Sequence, residues 1–193
     1  MKLWTVQPRS ALDALAQTGV FRCQREKSYN LTKPGSLEKP YQWMMEQMRN
    51  RIGPPPEGVA YPVWAWHTWE FARRAPDVDS AAFLRRTEEK ALLTLDVPEN
   101  RALLSDFDAW QMALQGFYVA GDLPEEEYEA LLKRLESLTE ADLRRETENS
   151  WVRVFDVSPV VREGYARGKF VQATLWEIRR EYLLSAQILP VNA

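Results

Sequence analysis

Apolar residues recur along the chain in segments that predict short strands near both ends, with helices between them. Residues 3–6, 59–69, 91–97, 170–178 and 182–189 are apolar-rich or alternate in the manner of strands. We expect the last two segments to form a terminal β pair that closes against the first strand. A mixed order of strands and helices favours an α+β fold over a doubly wound sheet.

Helical periodicity marks the remaining segments. Ser10 suits the N-cap of a short first helix, and residues 40–53 carry apolar positions on one helical face. Ser105 and Asp108 have capping-box spacing ahead of a further helix. Residues 122–149 are helical in pattern and strongly charged, so we expect an amphipathic insert with a solvated acidic face.

These segments predict a single α+β domain over residues 1–193, built on a small split or mixed antiparallel sheet flanked by helices. Residues 24–39 are polar and predict a long loop, which is often functional. Residues 151–157 alternate like a strand. Residues 101–104 are expected to form a strand paired with the segment 91–97.

Composition narrows the classes of partner. The chain has 45% hydrophobic residues, 27% charged residues and a net charge of −3, which argues against broad binding to nucleic acids or anionic membranes. One histidine and one cysteine exclude a zinc finger and an internal disulfide. No apolar segment approaches the roughly 20 residues of a membrane helix, and the start does not resemble a signal peptide. We therefore expect a cytoplasmic protein that does not contact the membrane.

Three of the eight tryptophans lie in residues 63–69, together with the only histidine. In a regular strand Trp64 and Trp66 point to one face, while His67 and Trp69 point to the other. Two interpretations follow from aromatic residues on both faces. One is a central strand in the core, and the other is an aromatic wall for a planar ligand, with His67 as hydrogen-bond donor or general base.

Acidic side chains suggest two further candidate sites. Glu177 ends an apolar row, so it is either a turn residue or an acid in a cleft with a raised pKa. Asp106 and Asp108 could hold a divalent cation, although a helix cap explains their spacing equally well. The chain contains neither a Gly-x-Gly-x-x-Gly sequence nor a Gly-Lys-Ser/Thr sequence, which argues against a Rossmann dehydrogenase or an ATPase.

Three segments carry a resemblance to a known family. The opening residues 1–8, the segment from Trp43 to Pro55 and the segment from Leu103 to Trp110 resemble a family of small, mostly bacterial proteins called domain of unknown function 3841. The resemblance covers nearly the whole chain and implies family membership without implying an activity.

The order of elements is also similar to that of ADP-ribosyltransferase-like domains, including DNA-modifying toxins. In those toxins a terminal Gln-Ala-Glu sequence supplies the catalytic acid. Gln172 and Ala173 match it here, but Thr174 stands where the acid is expected and Glu177 lies three residues later. Thr5 falls near the usual His or Arg of the first strand. This resemblance therefore implies an architecture more than a reaction.

The leading hypothesis is a nucleotide- or NAD-binding protein with an ADP-ribosyltransferase-like scaffold and a degenerate catalytic set. Glu177 would orient a ribose hydroxyl or stabilise an oxocarbenium-like centre, and His67 would assist. The expected ligand-binding residues are Trp4, Thr5, Gln7, Tyr41, Trp66 and Gln172.

The competing hypothesis is a non-enzymatic interaction or regulatory protein on the same scaffold. The acidic insert at residues 122–149 would then contact a protein partner. A third interpretation is a metal-dependent hydrolase that uses Asp106 and Asp108.

Overall fold

A computed structural model describes residues 1–27, 37–80, 83 and 86–191. The predicted loop at residues 24–39 lies largely outside these residues. The strands are β1 (Lys2–Pro8), β2 (Val20–Phe21), β3 (Val63–Trp69), β4 (Lys90–Asp96), β5 (Leu103–Asp106), β6 (Val160–Arg162), β7 (Tyr165–Arg167), β8 (Phe170–Leu175), β9 (Ile178–Arg179) and β10 (Leu183–Leu189). The α-helices are α1 (Ser10–Thr18), α2 (Glu38–Ile52), α3 (Phe107–Leu114), α4 (Glu125–Glu136) and α5 (Glu140–Ser150).

The main sheet has six strands in the order β10-β4-β1-β3-β8-β5, and all its pairings are antiparallel. The α+β class and the antiparallel sheet flanked by helices are confirmed. Two short ribbons, β2–β9 and β6–β7, complete the strands of the described residues.

The predicted terminal β pair is wrong. β8 pairs with β3 and β5, whereas β10 pairs with β4 and forms the opposite edge of the sheet. The connection between them makes no hairpin, because Ile178 and Tyr182 are buried against the core and β9 pairs with β2. The chain therefore crosses one face of the sheet before β10 begins.

Each face of the sheet is covered by different elements. On the α1 face, the side chains of Leu3, Leu93 and Ala173 pack with Leu15 of α1 and with Ile178. The opposite side, which we call the α2 face, packs against α2, α3 and the 3₁₀ turn Trp151–Phe155. The alternation of strand side chains thus fills two separate clusters, as expected for a sheet buried on both sides.

Two further strand predictions are wrong. Residues 151–155 form a 3₁₀ turn, in which Trp151 and Val154 are buried three residues apart and Trp151 Nε1 donates to the Phe117 carbonyl at 3.0 Å. Burial at this spacing suits a helical turn rather than a strand. The predicted partner of β4 is also misplaced, because β5 pairs with β8.

Candidate functional site

All three tryptophans of β3 face the α2 side of the sheet. Trp66 pairs with Gln172 and Thr68 with Val171, so β3 holds one extra residue, His67, in a β-bulge. The bulge resets the alternation, and the Trp66 and Trp69 rings meet edge to face with centroids 4.9 Å apart. The prediction that His67 and Trp69 share the opposite face from Trp66 is wrong for this reason.

A continuous row of side chains crosses this face. Trp4 is paired with Trp66, Trp66 with Gln172, and Gln172 with Ser105. Ser105 is fully buried, and its hydroxyl has no hydrogen-bond partner among the described residues. The same is true of the buried Trp64 indole nitrogen. Buried polar atoms without partners are rare and often mark a place for a water or a ligand.

The six predicted ligand-binding residues divide between the two faces. Three of them lie in the row, namely Trp4, Trp66 and Gln172. Tyr41 of α2 packs on the same face, where the centroids of its ring and the Trp64 ring are 6.2 Å apart.

Thr5 and Gln7 lie on the α1 face. Thr5 Oγ1 donates to the Trp64 carbonyl at 2.7 Å and accepts from Gln7 Nε2 at 2.7 Å. The structure therefore brings four of the six candidates to one face of the sheet, where Trp4 and Tyr41 are buried, and separates two from it.

His67 is held as a neutral imidazole. Burial lowers its pKa to about 4, and the nearby Arg73 guanidinium adds to the shift. Its Nδ1 lies 2.9 Å from Thr68 Oγ1, while Arg73 donates to the His67 carbonyl at 2.6 Å. These hydrogen bonds of His67 therefore stabilise the β-bulge.

Glu177 and His67 lie near opposite ends of the strand pair β3–β8. β3 and β8 run antiparallel with Val63 opposite Leu175, so Glu177 follows the end of β8 near the start of β3, whereas His67 lies near the end of β3. The two predicted catalytic residues therefore have different surroundings.

The Glu177 carboxylate is 7% exposed and lies between two guanidinium groups. Arg22 Nε donates to Oε2 at 2.9 Å, and Arg179 Nε donates to Oε1 at 3.0 Å. Both oxygens are therefore engaged in ion pairs. These pairs connect Glu177, which precedes β9, to Arg22 after β2 and to Arg179 in β9.

Asp106, rather than Ser105, is the N-cap of α3. One carboxylate oxygen accepts from the Ala109 amide at 2.9 Å, and the other accepts from the Gly168 amide at 2.7 Å. The expectation of a Ser105–Asp108 capping box is wrong because the helix begins one residue later, at Phe107. The described residues contain no group of three or more His, Cys, Asp or Glu side chains placed to hold a metal ion.

A large concave surface lies elsewhere, between α3, α4 and the β6–β7 ribbon. We call it the helical groove, and its volume is about 1470 Å³. Its apolar lining includes Met112, Tyr128, Leu131, Leu132 and Leu135. Its charged lining includes Asp106, Asp108, Asp122, Glu125, Arg153, Asp156, Arg162, Glu163, Arg167 and Lys169.

Most of the apolar stripe of α4 remains accessible in this groove. Among the described residues of α4, only Leu135 is buried. Tyr128 and Leu132, one helical turn apart, are 44% and 41% exposed, and Met112 across the groove on α3 is 43% exposed. A stripe of this kind normally faces a core, so its exposure is informative.

All four cations of the groove have partners, and Arg153 donates to the Val119 carbonyl at 3.3 Å. Arg162 pairs with Asp122 at 3.0 Å and Arg167 with Asp156 at 2.6 Å. Lys169 lies over the Phe170 ring at 5.3 Å.

The Asp108 carboxyl has a raised pKa, because burial and the neighbouring Asp106 carboxylate outweigh the attraction of Lys169. Negative charge is therefore crowded along the α3 side of the groove.

Sequence reasoning missed this groove. The stripe of α4 was identified as amphipathic, but periodicity does not reveal whether an apolar stripe is covered. The β6–β7 ribbon was also missed, although Glu163 and Gly164 form the kind of turn that joins two short strands.

These features define an α+β protein with a six-stranded antiparallel sheet and a helical groove lined by six acidic and four basic side chains. Residues 2–184 match the family model described as Domain of unknown function (DUF3841), and the chain belongs to that family. The resemblance seen in the sequence is thereby confirmed. No curated protein and no solved structure matches the chain. Among the described residues, no helix is long and apolar enough to cross a membrane.

Proposed function

We propose that this protein is a non-enzymatic binding protein, whose helical groove holds a basic, amphipathic peptide segment of a protein partner. The observation that carries the proposal is the accessible apolar stripe of α4. An amphipathic segment laid along this stripe would bury side chains that the fold itself leaves in water.

The apolar contribution comes from both walls. Tyr128 and Leu132 on α4 face the same groove as Met112 on α3. Covering the exposed part of each side chain contributes about 1 kcal/mol at ordinary transfer free energies. Three such contacts supply a specific but modest affinity, since association also has an entropic cost.

Charge determines the preferred occupant. Residues 122–149 hold 10 acidic and 4 basic side chains, a net charge of −6, against −3 for the whole chain. The rest of the protein is therefore positively charged, and the negative charge is concentrated on residues 122–149. A basic segment is attracted by this field, whereas a phosphorylated ligand is repelled.

The separation of His67 from Glu177 supports a binding role over a catalytic one. His67 holds the bulge of β3, and the Glu177 carboxylate is occupied by two guanidinium groups. Neither residue lines the helical groove. The likeness to ADP-ribosyltransferase-like domains stays a prediction, and the proposal does not depend on it.

The test uses two model helices of about 18 residues, or five turns, which share one leucine face. One carries lysine on its polar face and the other glutamate. We expect calorimetry to detect micromolar binding of the lysine peptide and none of the glutamate peptide. Equal binding of both, or of neither, would contradict the proposal.

A matched pair of variants locates the contact. Replacing Tyr128 and Leu132 by alanine should weaken binding of the lysine peptide at least tenfold, about 1.4 kcal/mol. Leu143→Ala is the control, because Leu143 is similarly exposed on α5 but does not line the groove. Equal losses in both variants would place the peptide elsewhere.

A second candidate is a planar ligand on the α2 face. The half-buried Trp66 lies beside Gln172, and the unpartnered hydroxyl of Ser105 lies next in the row. An indole with an adjacent amide suits a nucleobase or a nicotinamide. Titrating NAD, ADP-ribose or AMP against tryptophan fluorescence tests this candidate, with Gln172→Leu as the variant. No response at millimolar concentration would remove it.

A further inference from the structure

The two edges of the main sheet differ in how they are protected. β5 forms one edge, and three of its four residues are buried, with α2 and α3 packed nearby. β10 forms the other edge, and its residues from Leu184 to Ile188 are all exposed. No strand of the described residues pairs with the outer side of β10. Within the described part of the chain, its outward N–H and C=O groups have no strand partner, which leaves this edge open to another strand.

The sequence of β10 has few of the features that prevent such pairing. Edge strands are usually protected by charged side chains, proline or bulges. Residues 183–189 contain no charged residue and no proline, and Pro190 follows the strand. A register shift between Leu183 and Ser185 places Leu184 in a β-bulge at the start of the strand, and Ser185 to Leu189 pair regularly with β4. An uncharged, exposed strand of this length is a template for strand addition.

We infer that β10 pairs antiparallel with β10 of a second copy of this chain, joining the two six-stranded sheets across a two-fold axis. An antiparallel pair of identical strands is self-complementary, as a two-fold interface requires. This inference is independent of the proposed function, because β10 contributes nothing to the helical groove.

The exposed side chains favour one register. Centring the pair on Ala186 brings the bulged Leu184 of one copy close to Ile188 of the other. These are the two large apolar side chains in the exposed run, at 57% and 42% exposure. The pairing therefore covers four apolar side chains and brings no like charges together, which is favourable across antiparallel strands.

A single strand pair forms a small interface, so the dimer is expected to be weak and concentration-dependent. Sedimentation equilibrium over ~10 µM to ~1 mM covers the relevant range of dissociation constants. We expect the average mass to rise from 22.5 kDa toward twice that value across the series. A constant monomer mass would overturn the inference.

Charge-swap variants identify the contact. One variant carries Leu184→Lys with Ile188→Lys, and the other carries Leu184→Glu with Ile188→Glu. Each variant alone should remain monomeric, because like charges meet across the interface. An equimolar mixture should associate at least tenfold more tightly than either variant alone. Because all four substitutions are at exposed positions, the folded state is retained, and circular dichroism checks this.

The control places two lysines at exposed apolar positions away from β10, as Leu143→Lys with Val161→Lys. This variant should dimerise like the unmodified protein. Undiminished dimerisation of the double-lysine β10 variant would overturn the inference. A mixture of the two β10 variants that stays monomeric would do the same.

Discussion

Trp66 and Trp69 lie on the same face of β3, with their ring centroids 4.9 Å apart in an edge-to-face contact, although Trp69 follows Trp66 by three positions. A regular strand would place them on opposite faces. The extra residue, His67, makes the difference, since its bulge resets the alternation between Trp66 and Thr68. The bulge therefore gathers the aromatic side chains of β3 on the α2 face.

The neutral state of His67 can be measured directly. Burial and the Arg73 guanidinium lower its pKa to about 4. Because this is the only histidine in the chain, its imidazole signal in a proton NMR titration is unambiguous. We expect a midpoint near pH 4, and a midpoint near the ordinary value of about 6.5 would contradict the buried environment.

The same shift predicts how stability depends on pH. In the unfolded chain the imidazole takes up a proton near pH 6.5. In the folded protein it stays neutral down to about pH 4. The contribution of His67 is therefore fully present above pH 6.5 and is lost as the pH falls to about 4, because the unfolded state binds more protons.

After allowance for partial solvent screening, this contribution is about 1–2 kcal/mol. Urea unfolding of His67→Gln at pH 7 and pH 4 measures it against the unmodified protein. The variant should lose less stability on acidification, and parallel losses in the two proteins would contradict the prediction.

Replacing Glu177 tests its structural role. Glu177→Gln removes the ion pairs that this buried carboxylate makes with Arg22 and Arg179, while Arg179 keeps its pair with Glu181. We expect a loss of about 2 kcal/mol, less than for a fully buried pair, because both guanidinium groups are partly exposed. Urea unfolding provides the measurement. Glu181→Gln is the control, since Glu181 is exposed and 3.7 Å from Arg179, and it should cost under about 0.5 kcal/mol.

Asp106 and Asp108 are expected to differ although they are two residues apart. Asp106→Ala removes the N-cap of α3 and the acceptor of the Gly168 amide, so we expect a loss of about 2–4 kcal/mol. Asp108→Ala removes an acid with a raised pKa and should be neutral or slightly stabilising. Thermal unfolding of both variants compares them. Similar losses of stability in the two variants would contradict the role of Asp106 as the N-cap of α3.

Local patterns predicted much of the secondary structure, because each depends on neighbouring residues. The apolar run at residues 91–97 predicted β4 to within one residue at each end. The charged periodicity of residues 122–149 gave α4 and α5. Strand pairing was not predicted, since it depends on contacts far apart in the sequence. The burial of Ile178 decides where β10 lies, and its neighbouring residues do not reveal that burial.

The candidate site shows the same division. Aromatic content indicated Trp4 and Trp66 as ligand-binding residues, and the two are paired across β1 and β3. The face of Thr5 and the ion pairs of Glu177 could not be read from spacing, because each depends on a partner strand or a distant arginine. The bulge at His67 could not be predicted for the same reason, because it is defined by the pairing of β3 with β8.

Two glycines with the same backbone conformation should respond differently to alanine. Gly164 and Gly168 have φ of 72° and 73°. A Cβ at Gly164 meets no atom within 4 Å, whereas one at Gly168 lies 2.8 Å from the Val157 carbonyl oxygen and 3.0 Å from Pro159 Cα. The left-handed backbone alone makes Gly164→Ala cost about 1 kcal/mol. Gly168→Ala adds a clash with main-chain atoms and strains the Asp106 hydrogen bond, so we expect about 2–4 kcal/mol. Urea unfolding of the two variants separates strain from clash, and equal losses would mean that the segment before β6 yields to the added methyl group.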